Sequence, residues 1–182
     1  MANARWIGVV CLCITAFGWG LNWPFMKLLL RELPPLSARG LAGVTAALIL
    51  AVVALSRRER LSVPREAIPR LFFATFTNVI AWMGFGTVAM KWVSVGEGAL
   101  LAYTMPIWAT LLARFVLAEP IDRRRLVGLG LGMAGLACLG LPLIAGGGLS
   151  FGLLLALIAS VSWALGTIVS KRWPVSAPAL TI

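Results

Sequence analysis

Six long apolar runs constrain the fold of this chain more than any other feature. Each run is long enough to cross a hydrocarbon core of about 30 Å as a helix. Lipid offers no hydrogen-bond partner to the backbone, so only helices and closed barrels can span a bilayer. The runs are continuous rather than alternating, which favours helices. The predicted spans are residues 6–30, 37–55, 69–90, 93–117, 125–144 and 151–170. The sequence therefore predicts an all-α integral membrane protein with six transmembrane helices.

Composition and charge exclude several other classes of protein. Apolar residues make up 60% of the chain and charged residues 12%, whereas a soluble domain is about half apolar and a quarter charged. A soluble enzyme, a disordered tail and a disulfide-rich secreted module are therefore excluded. The net charge of +10 comes from short basic clusters between apolar runs, so no nucleic-acid partner is expected. The first run contains no signal-peptide cleavage site, so it is predicted to stay as the first span.

The positions of the lysines and arginines predict the orientation of the chain. With a cytoplasmic amino terminus, 12 of the 16 basic residues lie on the inner side of the membrane and 4 on the outer side. Cytoplasmic loops carry an excess of lysine and arginine, so this arrangement is the favoured one. The unequal split also weighs against a dimer of oppositely oriented copies.

A weak internal repeat relates the sixth run to the first when one is shifted by 144 positions. The matching pairs are Gly8 with Gly152, Ile14 with Ile158, Trp19 with Trp163, Leu21 with Leu165 and Lys27 with Lys171. Five spans separate the two starting points, so a second copy must enter the membrane from the opposite side. Inverted repeats of this kind are typical of transporters, with the substrate site near the midplane.

Short motifs in the same runs resemble a known family. They are Gly18-Trp19-Gly20-Leu21-Asn22-Trp23-Pro24 followed by Lys27, Pro34-Pro35 with Arg39, Met105-Pro106, and Ala118-Glu119-Pro120. In these residues the chain resembles the drug/metabolite transporter superfamily, specifically its EamA-type members. The resemblance implies ten spans in two five-span halves. Residues 1–144 would form the first repeat and 151–182 the start of an inverted second repeat, so we expect the chain to be truncated after its sixth span.

The residues needed for catalysis or metal binding are nearly absent. The chain has no histidine, which removes the commonest base and metal ligand. All six carboxylates lie at or outside the ends of the predicted spans: Glu32, Glu59, Glu66, Glu97, Glu119 and Asp122. No pair is placed for acid–base work in a buried cleft. We therefore expect no enzymatic activity, no metal site and no cofactor.

Polar and aromatic residues at mid-depth are the candidates for a substrate path. They are Trp19, Asn22, Asn78, Trp82, Tyr103 and Trp163. An indole or amide that faces lipid lacks a partner, so these side chains are expected to face the bundle interior. In the first span, Thr15, Trp19, Asn22, Trp23 and Met26 share one helical face. Hydrogen bonding that only holds helices together is the alternative role for each of these residues.

Two prolines and one carboxylate are candidates for motion and coupling. Pro24 and Pro106 each remove a backbone donor and tend to kink a helix, so they are candidate hinges for alternating access. Glu97 is the carboxylate that falls inside a predicted span. It is the candidate for coupling to a proton gradient, and the alternative is an acid in contact with water at the outer surface.

The function implied by the resemblance is export of small organic metabolites across the inner (plasma) membrane by alternating access. The resemblance implies that these metabolites include amino acids. Aromatic walls with a few amides suit small amphipathic or aromatic solutes, and cation–π attraction would also serve organic cations. Membrane lipid is an expected partner of Arg123-Arg124-Arg125. The alternative function is a non-transporting membrane partner or half-carrier that needs a second chain, either as a dimer or as the missing second half.

Overall fold

The computed structural model describes residues 2–58, 63–147 and 150–174, and this part of the chain is helical with no β-strand. The helices are α1 (Ala2–Leu29), α2 (Pro35–Ser56), α3 (Arg65–Ala89), α4 (Val95–Val116), α5 (Arg123–Gly147) and α6 (Phe151–Arg172). Each predicted run lies within two to four residues of one helix, so the all-helical prediction is confirmed. Predictions that concern Glu59 and residues 175–182 lie outside the described residues.

Five of these helices, α1 to α4 and α6, are long and apolar enough to cross a membrane. Helix α5 has 25 residues and begins with three arginines. The count of six spans and the division into an inverted repeat stay predictions.

Helix α6 lies at the centre of the bundle, where it packs along both α3 and α4. Its buried face consists mainly of small residues, among them Ala159, Ser160 and Ala164, which are fully buried. Small residues let helix backbones approach closely, which is how helices associate where no hydrophobic driving force exists between them. Helices α1, α2 and α5 surround this core and expose large apolar side chains such as Phe17, which is 70% exposed.

Contacts at the two ends of the bundle show that successive helices run in opposite directions. At one end, the ring of Trp92 after α3 meets Phe151 at the start of α6 edge to face, with centroids 5.4 Å apart. At the other end, Glu119 after α4 accepts hydrogen bonds from Arg125 of α5 and Lys171 of α6. These ends are called the Trp92 end and the Glu119 end below.

Helix α3 contains a π-helical stretch from Phe76 to Phe85. Two side chains at its start hydrogen-bond to the preceding turn. Thr77 Oγ1 donates to the carbonyl of Phe73 at 2.8 Å, and Asn78 Nδ2 donates to that of Ala74 at 3.1 Å. Side-chain donors of this kind compete with the i→i+4 ladder of an α-helix, which explains why the wider turn begins here.

Helix α4 is interrupted between Ala102 and Met105. Pro106 has no N–H and its ring clashes with the carbonyl four residues earlier, so the first segment ends there. The carbonyl of Leu101 accepts a 2.6 Å hydrogen bond from Thr104 Oγ1 and lies 2.8 Å from Ser160 Oγ of α6. Helix α6 thus supplies a hydrogen-bond donor at the break in α4. A proline in a membrane helix requires such a partner for the backbone groups that it leaves unpaired.

Gly166 marks a close approach of α6 to α3. A Cβ atom at this position would collide with Thr77 Oγ1 and Asn78 Nδ2. Both of those atoms are held by their hydrogen bonds to backbone carbonyls, so they cannot move aside without breaking a bond.

Gly166→Ala is therefore expected to lower the stability of the bundle by about 1–3 kcal/mol, as overpacking does in a close-packed core. Thermal unfolding in detergent measures this loss. Gly20→Ala is the matched control, because a Cβ at Gly20 of α1 meets no atom within 4 Å. Equal melting temperatures for the two variants would contradict the packing of α6 against α3.

The ion cluster at the Glu119 end is expected to make stability depend on acid pH. Hydrogen bonds from Lys171 and Arg125 hold the pKa of Glu119 below its usual value of 4.5. A carboxyl whose folded-state pKa is lowered stabilises the fold above its unfolded pKa, and this contribution is lost as the pH falls through the folded-state value. The effect is small, because exposed ion pairs are weak.

We expect the melting temperature of Glu119→Gln to lie slightly below that of the wild type at neutral pH, and the two to converge below about pH 4. Glu32→Gln is the control, since Glu32 forms no ion pair with a described residue. A gap between Glu119→Gln and the wild type that is the same at every pH would exclude the proposed linkage.

Candidate functional site

A cavity of about 340 Å³ lies between α1, α2 and α3, and it is called the α1–α2–α3 cavity below. Helix α1 contributes the face that its sequence predicts. The side chains of Thr15, Trp19, Asn22, Trp23 and Met26 all line the cavity, together with Gly18. They do so because α1 is an unbroken α-helix, so positions three and four residues apart fall on one side.

The opposite wall comes from the second half of α3. Its lining residues are Trp82, Met83, Gly86 and Thr87, with Met90 just beyond the helix end. Trp82 is 7% exposed and is the largest buried side chain of this wall. The cavity is therefore mainly apolar and aromatic, with a small number of polar groups, as in most small-molecule sites.

Two of the polar groups have unused hydrogen-bonding capacity. Neither the Asn22 amide nor the Trp82 indole N–H bonds to a described residue. No deeply buried side-chain nitrogen or oxygen among the described residues lacks a partner, so these two groups remain accessible from the cavity. They can therefore bind water or a solute.

Arg39 of α2 also lines this cavity, and it was not among the predicted site residues. Its Nε donates a 2.6 Å hydrogen bond to Thr87 Oγ1 of α3. Sequence analysis counted Arg39 only among the outer charges and the family motif. The sequence signal was its position as the third residue of the predicted span 37–55, because charged residues inside spans generally face a cavity or a partner.

Trp163 lies behind the cavity wall rather than in it. It packs against a buried cluster of Trp82, Ala102 and Ala159, as do Trp23 and Met105. Trp23 and Trp82 thus belong both to the cavity lining and to this cluster. The position of Trp163 is set by α6, and it contributes support to the wall that Trp82 forms.

Asn78 and Tyr103 lie away from the α1–α2–α3 cavity. Asn78 lies against α6 next to Gly166. Tyr103 is 73% exposed. It lines a separate groove of about 600 Å³ between α4 and α5, together with Thr104 and Pro106. The structure thus brings together Trp19, Asn22 and Trp82, and the roles of all six residues stay predictions.

The two predicted hinges and the predicted coupling residue lie in different kinds of local structure. Helix α1 continues through Pro24, whereas α4 breaks just before Pro106. Glu97 Oε2 accepts a 2.6 Å hydrogen bond from the backbone N–H of Ser94, and Ser94 Oγ accepts one from the N–H of Glu97. This reciprocal capping box ties the carboxylate to the start of α4. Hinge and coupling functions stay predictions.

Lys27 holds the end of α1 against the α3–α4 connection. Its Nζ donates to the carbonyls of Met90 and Val93, which lie at and beyond the carboxyl end of α3. Cations are stabilised at helix carboxyl ends. The structure shows the lysine half-buried in these contacts, and it does not line the cavity.

Among residues 2–58, 63–147 and 150–174, no group of three or more cysteine, aspartate or glutamate side chains lies close enough to hold a metal ion.

Comparisons with known proteins identify relatives along most of the chain. Residues 6–141 match the model of the EamA-like transporter family. The chain is 31% identical over 154 residues to the uncharacterized transporter YvbV of Bacillus subtilis, with 85% of this chain and 50% of the relative covered. It is 29% identical over 162 residues to the uncharacterized inner membrane transporter YedA of Escherichia coli K12, with 85% and 50% covered.

A third relative has a functional name. The chain is 27% identical over 170 residues to a probable amino-acid metabolite efflux pump of Escherichia coli K12, with 91% of this chain and 53% of that protein covered. The chain thus spans about half the length of the curated relatives it matches. No solved structure matches it significantly. The family match covers well over half of the chain, and the chain therefore belongs to the EamA-like transporter family.

Proposed function

We propose that this chain forms the solute-binding part of a carrier that exports small organic metabolites across the plasma membrane by alternating access. The observation that carries the proposal is the α1–α2–α3 cavity, in which Asn22 and Trp82 present unused hydrogen-bonding groups beside the Trp19 ring. Polar groups without a protein partner are costly in a lipid-embedded bundle. A bound solute or water would satisfy them.

Amino acids and related amphipathic compounds are the proposed solute class. The relatives named as probable amino-acid metabolite efflux pumps suggest it, and the lining is consistent with it. A cavity of about 340 Å³ is at the lower end of the range for small-molecule sites. Indole rings pack against an apolar side chain, and an amide fixes the orientation of a polar group.

Alternating access requires a helix that can bend without losing backbone hydrogen bonds. The break in α4 meets this need, because Thr104 and Ser160 supply side-chain partners to the carbonyl of Leu101. It adjoins Met105, which packs against the cluster behind Trp82. We therefore assign the principal hinge to the residues just before Pro106.

Asn22→Ala is expected to lower export without lowering the amount of protein in the membrane. The loss of one hydrogen bond is worth about 0.5–1.5 kcal/mol, which corresponds to a decrease of roughly two- to tenfold in flux. Efflux of preloaded radiolabelled amino acids from proteoliposomes measures it. Phe17→Ala is the matched control, since Phe17 is exposed on α1 and does not line the cavity.

Wild-type flux no higher than that of empty liposomes, or equal flux for Asn22→Ala and the wild type, would count against the proposal. Flux that appears only after a second polypeptide is added would favour the half-carrier alternative instead.

The proposed orientation places the amino terminus and the Glu119 end on the cytoplasmic side. It follows from the excess of basic residues on that side. Single-cysteine variants in a background without Cys11, Cys13 and Cys138 test it with a membrane-impermeant thiol reagent added to intact cells. Glu32→Cys, in the turn after α1, is expected to react, and Asp122→Cys, before α5, is expected to react only after lysis. The reverse pattern would invert the assignment.

A further inference from the structure

We propose that Arg39 binds the carboxylate of the transported solute, so that the α1–α2–α3 cavity selects anionic or zwitterionic solutes over neutral and cationic ones. This inference rests on the proposed function, because it takes the cavity to be the solute site. It adds to that proposal the residue that recognises the solute and the charge that this residue selects.

Arg39 is the charged side chain in the lining of this cavity. The surrounding polar groups are Thr15 and Asn22 from α1 and Thr87 from α3, and none of them is acidic. Arg39 forms no ion pair with a described residue. The cavity therefore carries a net positive charge that no lining carboxylate neutralises.

The hydrogen bond to Thr87 uses only the Nε side of the Arg39 guanidinium. Nε donates to Thr87 Oγ1, and this contact fixes the plane of the group between α2 and α3. The two terminal nitrogens, Nη1 and Nη2, make no hydrogen bond with a described residue. Their parallel N–H bonds match the two oxygens of a carboxylate, which is the bidentate geometry that arginine favours.

Lys27, at the same end of the bundle, differs from Arg39 in how many of its hydrogen-bond donors are used within the protein. Its ammonium group donates to two backbone carbonyls and does not line the cavity. Its hydrogen-bonding capacity is thus used within the protein, whereas most of that of Arg39 is not. A half-buried guanidinium with vacant donors is costly in a membrane protein unless a solute or water binds them.

The length of the cavity separates the charge from the aromatic walls. From Thr15 to Met26 it follows α1 for eleven residues, or about 16 Å. Thr87 lies on α3 near Met90 and the Trp92 end, and its partner Arg39 reaches the same end from α2. Trp19 and Trp82 lie further toward the middle of the bundle. A solute with a carboxylate at one end and an apolar or aromatic body fits both regions at once.

Organic cations fit this arrangement poorly. The indole rings could attract a cation, but the guanidinium of Arg39 in the same small cavity would repel it. This repulsion is stronger beside the low-dielectric walls of the bundle than in bulk water. The lining therefore argues against the organic-cation class that the aromatic residues alone permitted.

Three probes that share a phenyl ring and differ in charge test the inference. They are phenylacetate, phenylacetamide and phenethylammonium. Equilibrium binding of each radiolabelled probe to the purified chain in nanodiscs is compared for the wild type and Arg39→Gln. The wild type is expected to bind phenylacetate roughly tenfold more tightly than either other probe, because a hydrogen bond between charged groups contributes about that difference in affinity.

Arg39→Gln is expected to remove this preference, and Arg39→Lys is expected to keep part of it. Arg57→Gln, at the other end of α2, is the matched control and should behave as the wild type. A circular dichroism spectrum with the helix content of the wild type shows that Arg39→Gln is folded. Equal affinities for the three probes, no phenylacetate binding to the wild type, or a preference that survives in Arg39→Gln would overturn the inference.

The binding assay separates this inference from the proposed function. A carboxylate preference that depends on Arg39, in a chain that supports no flux, would uphold the inference and refute transport. Flux that depends on Asn22 but is equal for the anionic and cationic probes would uphold transport and refute the inference about Arg39.

Discussion

The backbone of a membrane helix has no water to bond to, and this constraint explains most of the structure. At three irregular points of the helices, side chains supply polar partners to the backbone. Thr77 and Asn78 do so in α3, Thr104 and Ser160 in α4, and Lys27 at the end of α3. These hydrogen bonds let the bundle keep irregular helical segments next to the cavity without leaving buried backbone groups unpaired.

The same irregular segments place the residues of the site. The π-helical stretch of α3 carries Asn78, which lies against α6 at Gly166, and Trp82, which lines the cavity. The break in α4 brings Ala102 and Met105 against Trp82 and supports it from behind. Helix α6 completes that support through Ala159 and Trp163. The cavity is therefore shaped by helices that do not line it, and changes in α4 or α6 can reach it through Trp82.

The positions of the site residues could be predicted from sequence only where the helix that carries them is regular. Apart from Gly18, the cavity face of α1 was predicted, because α1 is a continuous helix and its residues follow one period. The position of Asn78 was not, since the change to π-helical turns leaves no clear periodic signal in the sequence. The exposure of Tyr103 follows from the break beside Pro106, which the sequence marks only as a candidate kink. The bond between Arg39 and Thr87 joins residues 48 positions apart, and a single sequence gives no means of pairing them.

The central claim is that the α1–α2–α3 cavity is open to water inside the bundle. Thiol labelling tests it most directly, because charged methanethiosulfonate reagents react with the thiolate and so need a hydrated site. In a background without the three native cysteines, Asn22→Cys is compared with Phe17→Cys, whose side chain is on the exposed surface of the same helix. The account predicts fast labelling at position 22, slowed by bound solute, and little labelling at position 17, where lipid surrounds the side chain. Labelling at position 22 no faster than at position 17 would contradict it.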